Sequence, residues 1–153
     1  MSQNPYYPIN SDGKIVHLIN FARVGNLPML KYFYSAETDI WQCNVQDVAY
    51  ITATHGYANC LKFALETGAE PDRILFAHAL KCSNVQCLQT IIKLSGLKFY
   101  VVHDAMTCAE FGLIDNLKCL YDSGIIFDLD ELKASQFYNH KECIEYIQSV
   151  LFK

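Results

Sequence analysis

The sequence is poor in residues that interrupt regular structure, with only 7 Gly and 4 Pro among 153 residues. That scarcity, beside a hydrophobic fraction of 52%, excludes a disordered or low-complexity chain. Charge is sparse too. Lys and Arg number 12 against 16 Asp and Glu, and a formal charge of −4 argues against a nucleic-acid binder, which needs a cationic surplus to neutralise phosphates. No apolar run approaches the roughly 18 residues that cross a bilayer. The chain has no Asn-x-Ser/Thr signal and no basic-then-apolar leader in its polar residues 1–13. The expectation is a cytoplasmic protein with neither a membrane nor a nucleic acid as partner. Its seven cysteines, an odd number, are then read as reduced thiols.

What the sequence does have is a period. The stretches GNLPMLKYF from Gly25, GYANCLKFA from Gly56, SNVQCLQTI from Ser83, GLIDNLKCL from Gly112 and NHKECIEYI from Asn139 stack without gaps. Their anchors, Leu30, Leu61, Leu88, Leu117 and Ile144, recur every 27 to 31 residues. Five residues before each anchor stand Gly25, Gly56, Ser83, Gly112 and Asn139, types that tolerate tight or left-handed turns. Twelve before it stand Leu18, Ala49, Phe76, Ala105 and Leu132, and eight before it Ala22, Ala53, Leu80, Ala109 and Gln136. That spacing of four puts both sets on one helical face. Phe33, Ala64, Ile91, Leu120 and Ile147 follow the anchors by one helical turn, and Gly68, Gly96 and Gly124 read as helix stops.

Each unit thus reads as helix, tight turn, helix, stop. A lone pair of short helices cannot bury its apolar face, so neighbouring pairs must stack. The predicted fold is all-α: a helical-repeat solenoid of about five helix-turn-helix units at residues 14–44, 45–71, 72–99, 100–127 and 128–153, with an N-terminal arm at residues 1–13. An irregular helical bundle is the rival arrangement.

Thr54-His55-Gly56, followed by Cys60-Leu61-Lys62-Phe63 and Glu66-Thr67-Gly68-Ala69, resembles the inner-helix end, outer helix and exit of an ankyrin repeat. Asn139-His140-Lys141-Glu142-Cys143-Ile144 is similar to the family's Gly-His-x-Glu stretch, with Asn in the glycine place. Phe111-Gly112, Leu117-Lys118-Cys119-Leu120 and Ser123-Gly124 form a third copy, and the resemblance covers about residues 14–150. The family's Thr-Pro-Leu-His opening is missing; Asp47-Val48-Ala49-Tyr50 and His103-Asp104-Ala105-Met106 stand in its place. Six steps from Gly68 to Ile74, and six from Gly124 to Asp130, are too few for a projecting two-stranded finger. Only residues 37–47, around Trp41, leave room for a hairpin. Short, hairpin-poor, cysteine- and tyrosine-rich repeats are similar to those of large cytoplasmic DNA viruses and some intracellular parasites, which implies a host-directed protein in the host cytoplasm.

A Cys/His metal site can be drawn from His78, Cys82, Cys87, His103 and Cys108. The register answers it. Cys60, Cys87 and Cys143 each stand immediately before an anchor, where Met29 stands in the first unit, and Cys108 falls on an inner-helix core position. Buried free cysteine behaves as a small hydrophobe, so the reading is no metal and no cofactor. The five histidines, His17, His55, His78, His103 and His140, lie in different units and form no catalytic motif. Asp128, Asp130 and Glu131 stand where a helix N-terminus is expected and are read as caps.

The resemblance implies partner contacts from the exposed side of the inner helices and from the residues just before each turn. Those places hold Arg23 and Val24, Thr54 and His55, Lys81 and Cys82, Glu110 and Phe111, and Phe137 and Tyr138, with Asn20, His78 and Thr107 one turn earlier. The first three units give a polar, partly basic surface and the last two an aromatic end. Phe111, Phe137 and Tyr138 are the expected hot spots, unless the C-terminal helix covers them. The expected function is a non-enzymatic protein-protein interaction module that binds another protein on its concave helical face. The alternative is a self-assembling homodimer paired through the aromatic end. Asn4-Pro5-Tyr6-Tyr7 also matches a turn signal that adaptor domains read in tails.

Overall fold

The structure, a computed structural model, describes residues 11–153, which form ten α-helices and no strand. The helices come in pairs: α1 (Ser11–Arg23) with α2 (Leu27–Ala36), α3 (Thr38–His55) with α4 (Ala58–Glu66), and α5 (Arg73–Lys81) with α6 (Val85–Ser95). They continue as α7 (His103–Glu110) with α8 (Ile114–Asp122), and α9 (Leu129–Phe137) with α10 (Lys141–Leu151). Each pair packs internally, odd-numbered helices pack in series from α1 to α9, and even-numbered helices pack in series from α2 to α10. The result is two layers of helices with the core between them.

The period explains the packing. Leu30, Leu61, Leu88 and Leu117 are fully buried, and so are Leu18, Ala49, Phe76 and Ala105 twelve residues before them. In the last unit the pattern relaxes: Ile144 is half-buried and Gln136 is exposed. Among the described residues no further helix pair packs over that side of α9 and α10. Cys60, Cys87, Cys108 and Cys143 are buried among the apolar side chains, and all seven cysteines are free thiols. Within the pairs, Gly56 and Gly112 take φ of +79° and +68°, and Asn139 takes +59° in the equivalent place. Ser83 departs from this rule. There the chain leaves α5 through Cys82 in an extended conformation, and Asn84 caps α6 by accepting from Gln86 N at 3.1 Å.

Two expectations are corrected. Ser11, Asp12 and Gly13 belong to α1, not to an arm; residues 1–10, including the Asn4 to Tyr7 motif, lie outside the described residues. Residues 37–47 form no hairpin: Glu37 caps α2 and α3, and residues 38–47 are the first half of α3, so the first unit ends at Glu37, ahead of residue 44. The cause is Trp41. Its fully buried ring lies 6.0 Å from that of Tyr34 and 5.4 Å from that of Phe63, and its Nε1 donates to Thr67 O at 3.3 Å. Burying so large a side chain against α2 and α4 is worth about 3–5 kcal/mol, and it requires the helical backbone that points the ring inward.

Candidate functional site

Cross-links between odd-numbered helices show that they run side by side in the same direction. Tyr50 OH donates to Asp72, the N-cap of α5, at 2.6 Å, while Thr54 one turn later meets His78 at 2.9 Å. Arg73 at the start of α5 likewise reaches Asp104 near the start of α7. Parallel packing turns the repeat register into rows on the surface. One row is Arg23, Thr54, Lys81, Glu110 and Phe137; the next is Val24, His55, Cys82, Phe111 and Tyr138. All are exposed except Glu110, which is half-buried, and Cys82. Cys82 is a correction: its sulfur is buried and accepts from Asn84 N at 3.2 Å, which takes it out of the surface row.

Arg23, Thr54, His55 and His78 line one depression of about 460 Å³, together with Ile19, Asp47, Tyr50 and Ile51. Its hydrogen bonds fix both imidazole rings. His55 Nδ1 lies 2.9 Å from Ile51 O, an acceptor only, so Nδ1 carries the proton. Thr54 Oγ1 donates its one proton to Tyr50 O at 2.8 Å and therefore accepts from His78 Nδ1. Both rings keep Nε2 for an incoming group. The bond to Asp72, aided by burial, raises the Tyr50 phenol above its ordinary range, which keeps it a neutral donor. Arg23 has no hydrogen-bond or ion-pair partner among the described residues.

Glu110, Phe137 and Tyr138 line a second depression, of about 370 Å³, with Met106, Asp130, Lys133 and Ala134. The C-terminal helix does not cover the aromatics: Phe111 is 60% exposed, Phe137 83% and Tyr138 53%. Phe137 and Tyr138 meet edge to face with centroids 5.0 Å apart, and Tyr138 stacks on His140. His140 Nε2 in turn donates to Glu110 O at 2.8 Å, which ties the end of α7 to the start of α10. Lys81 and Phe111 lie outside both depressions. No family model matches this chain, and neither a curated protein nor a solved structure matches it.

Among the described residues no group of three or more His, Cys, Asp or Glu side chains is arranged to hold a metal ion. Burial, with Cys82 nearby, pushes the Cys87 thiol up to about 12, and burial raises Cys108 further. These are packing thiols, not nucleophiles. No described helix is long and apolar enough to cross a membrane. Sequence reasoning missed Tyr50, Asp72 and Asp47 as neighbours of the first depression. Asp72 carried a usable signal, an acid one residue ahead of an apolar helical run. Tyr50 carried one too, at four residues before Thr54.

Proposed function

We propose that this chain is a non-enzymatic protein-interaction module of the ankyrin-like helical-repeat kind, whose odd-numbered layer is the concave face that holds a partner protein. The observation that carries this reading is the exposure of Phe111, Phe137 and Tyr138 in neighbouring turns, beside a depression that continues their surface. Large aromatics left in water at one edge gain most when a partner's pocket desolvates them. Shallow, open depressions lined by side chains from several units suit a protein surface better than a small substrate. The resemblance to short viral and parasite repeats adds a host-directed role in the cytoplasm.

The test is a variant with all three aromatics changed to Ala. A partner identified by affinity purification and mass spectrometry is titrated calorimetrically into the native protein and the variant. The expected result is a loss of about 100-fold or more in affinity, with circular dichroism unchanged. A folded variant that still binds at full strength overturns the reading. So does concentration-dependent dimerisation of the native protein that the variant abolishes, because the aromatic edge would then join two copies of this chain.

A further inference from the structure

The aromatic end of the face carries a charge that nothing in the chain answers. Met106, Glu110, Asp130, Lys133, Phe137 and Tyr138 line its depression of about 370 Å³. Two carboxylates stand there against one ammonium, and that ammonium is engaged: Lys133 Nζ lies 3.0 Å from Asp130, one turn earlier on α9. Glu110, the last residue of α7, is half-buried, and its carboxylate has no hydrogen-bond or ion-pair partner among the described residues. The fold gives no reason for an acid at this place. Arg23, Thr54 and Lys81 hold it in the earlier units, and a helix C-terminus disfavours negative charge.

The rings beside it are held in place. Phe137 and Tyr138 stand at 79° to each other with centroids 5.0 Å apart. Tyr138 stacks on His140 at 6.4 Å, and His140 Nε2 donates to the backbone oxygen of Glu110 itself at 2.8 Å. The acid and the ring pair are therefore coupled through one imidazole. Phe137 is 83% exposed, so its ring has a face open to water. An aromatic face carries partial negative charge. One opening is thus bordered by π electrons and by an uncompensated carboxylate.

An apolar side chain seated there would strip the remaining water from Glu110 and return nothing for it. An acidic one would meet like charge. A cation answers both borders at once. Of the two long cationic side chains, lysine ends in a compact, strongly hydrated point charge, whereas the planar guanidinium of arginine both stacks on a ring and presents a fork of N–H groups to a carboxylate. We infer that this depression takes an arginine side chain of the partner protein. Its guanidinium lies on Phe137 beside Tyr138 and donates to the Glu110 carboxylate, with Met106 against its methylene stem. This rests on the partner-binding reading above and names the side chain that the aromatic end selects.

The probe is arginine blocked at both ends, N-acetyl-arginine N-methylamide, titrated into the full chain at low salt. Binding is followed by nuclear magnetic resonance of the Met106 methyl group and of the Phe137 and Tyr138 amides. The controls are the same derivatives of lysine and of citrulline, which keeps the shape of arginine without its charge. The expected result is saturable shifts with arginine in the millimolar range, weaker binding of lysine and none of citrulline. Glu110→Gln and Phe137→Ala should each weaken arginine binding about fivefold or more, with circular dichroism unchanged. No saturable shift, citrulline or lysine binding as tightly as arginine, or full affinity in folded Glu110→Gln overturns the assignment. The ligand controls use the native protein alone, so they decide even where a variant unfolds. Such a failure leaves the broader reading standing, because exposed rings can enter a partner's apolar pocket without a cation. That reading falls by the triple-aromatic test instead.

Discussion

Arg73 grips Asp104 through two parallel hydrogen bonds, Nη2 to Oδ1 at 2.7 Å and Nη1 to Oδ2 at 2.9 Å. The carboxylate is 4% exposed and the guanidinium 43%, and the pair bridges the starts of α5 and α7. Val101 N also donates to Oδ2, and Arg73 Nη1 reaches Phe99 O, so the connection between the third and fourth units is held from both sides. The burial is unequal, so the cost of breaking the pair should be unequal too. Arg73→Met strands a buried carboxylate and is expected to cost about 3 kcal/mol. Asp104→Asn leaves a cation that can turn to water and should cost clearly less. Urea unfolding midpoints of the two variants check the order.

Glu131 sits at the third position of α9, where its Oε2 accepts from Asp128 N at 2.7 Å in a capping box. Burial raises its pKa above the ordinary glutamate range, although the Asp128 backbone bond pulls the other way. The folded protein thus holds this proton more tightly than the unfolded chain does. Its stabilising contribution is complete below the unfolded pKa and is lost as pH rises through the folded one. Glu131→Gln keeps the acceptor without the charge. The variant should melt higher than the native protein at pH 7, and the gap should close near pH 4. A gap that widens on acidification would contradict this.

A methyl group at Gly112 would meet His140 Nδ1 at 2.6 Å, on a backbone with φ of +68°. At Gly124 the φ is +105° but nothing lies within 4 Å. Gly124→Ala should therefore cost only the backbone strain, about 1–2 kcal/mol. Gly112→Ala should cost more and should also weaken the link from His140 to Glu110 O. Thermal denaturation gives the ranking, and equal losses would mean that the His140 contact is soft.

Cys43 is the one exposed thiol, Cys119 is half-buried, and Cys60, Cys82, Cys87, Cys108 and Cys143 are buried. Burial raises Cys60, Cys87, Cys108 and Cys143 above the ordinary thiol range, which leaves little thiolate at pH 8. Iodoacetamide on the native protein should label Cys43 first, with those four reacting only after urea unfolds the chain. Peptide mass spectrometry of the alkylated protein reads the order.

Much of the layering was legible because one constraint repeats. A leucine anchor every 27 to 31 residues, with apolar residues twelve and eight before it, specifies which face of each helix turns inward. The same register placed Arg23, Thr54, Lys81, Glu110 and Phe137 in one row. What it could not reveal were contacts between residues at different register positions, such as Arg73 with Asp104 or Tyr50 with Asp72. These depend on how far one helix slides along the next. Residues 37–47 misled for a related reason: their polar pattern resembles a loop, and only the ring of Trp41, packed against α2 and α4, makes them helical.

Trp41 has an optical consequence as well. It is the only tryptophan in the sequence, and it is sealed in the seam between the first two pairs of helices. Its emission therefore reports on the first two of five helix pairs, each packed against its neighbours, while far-ultraviolet ellipticity reports on all ten described helices. In such a stack, fraying from the α9–α10 end dims the ellipticity before the emission shifts to the red. A chain that melts as a single body changes both together. One buried ring thus makes the length over which the units cooperate a quantity that two ordinary spectra can read.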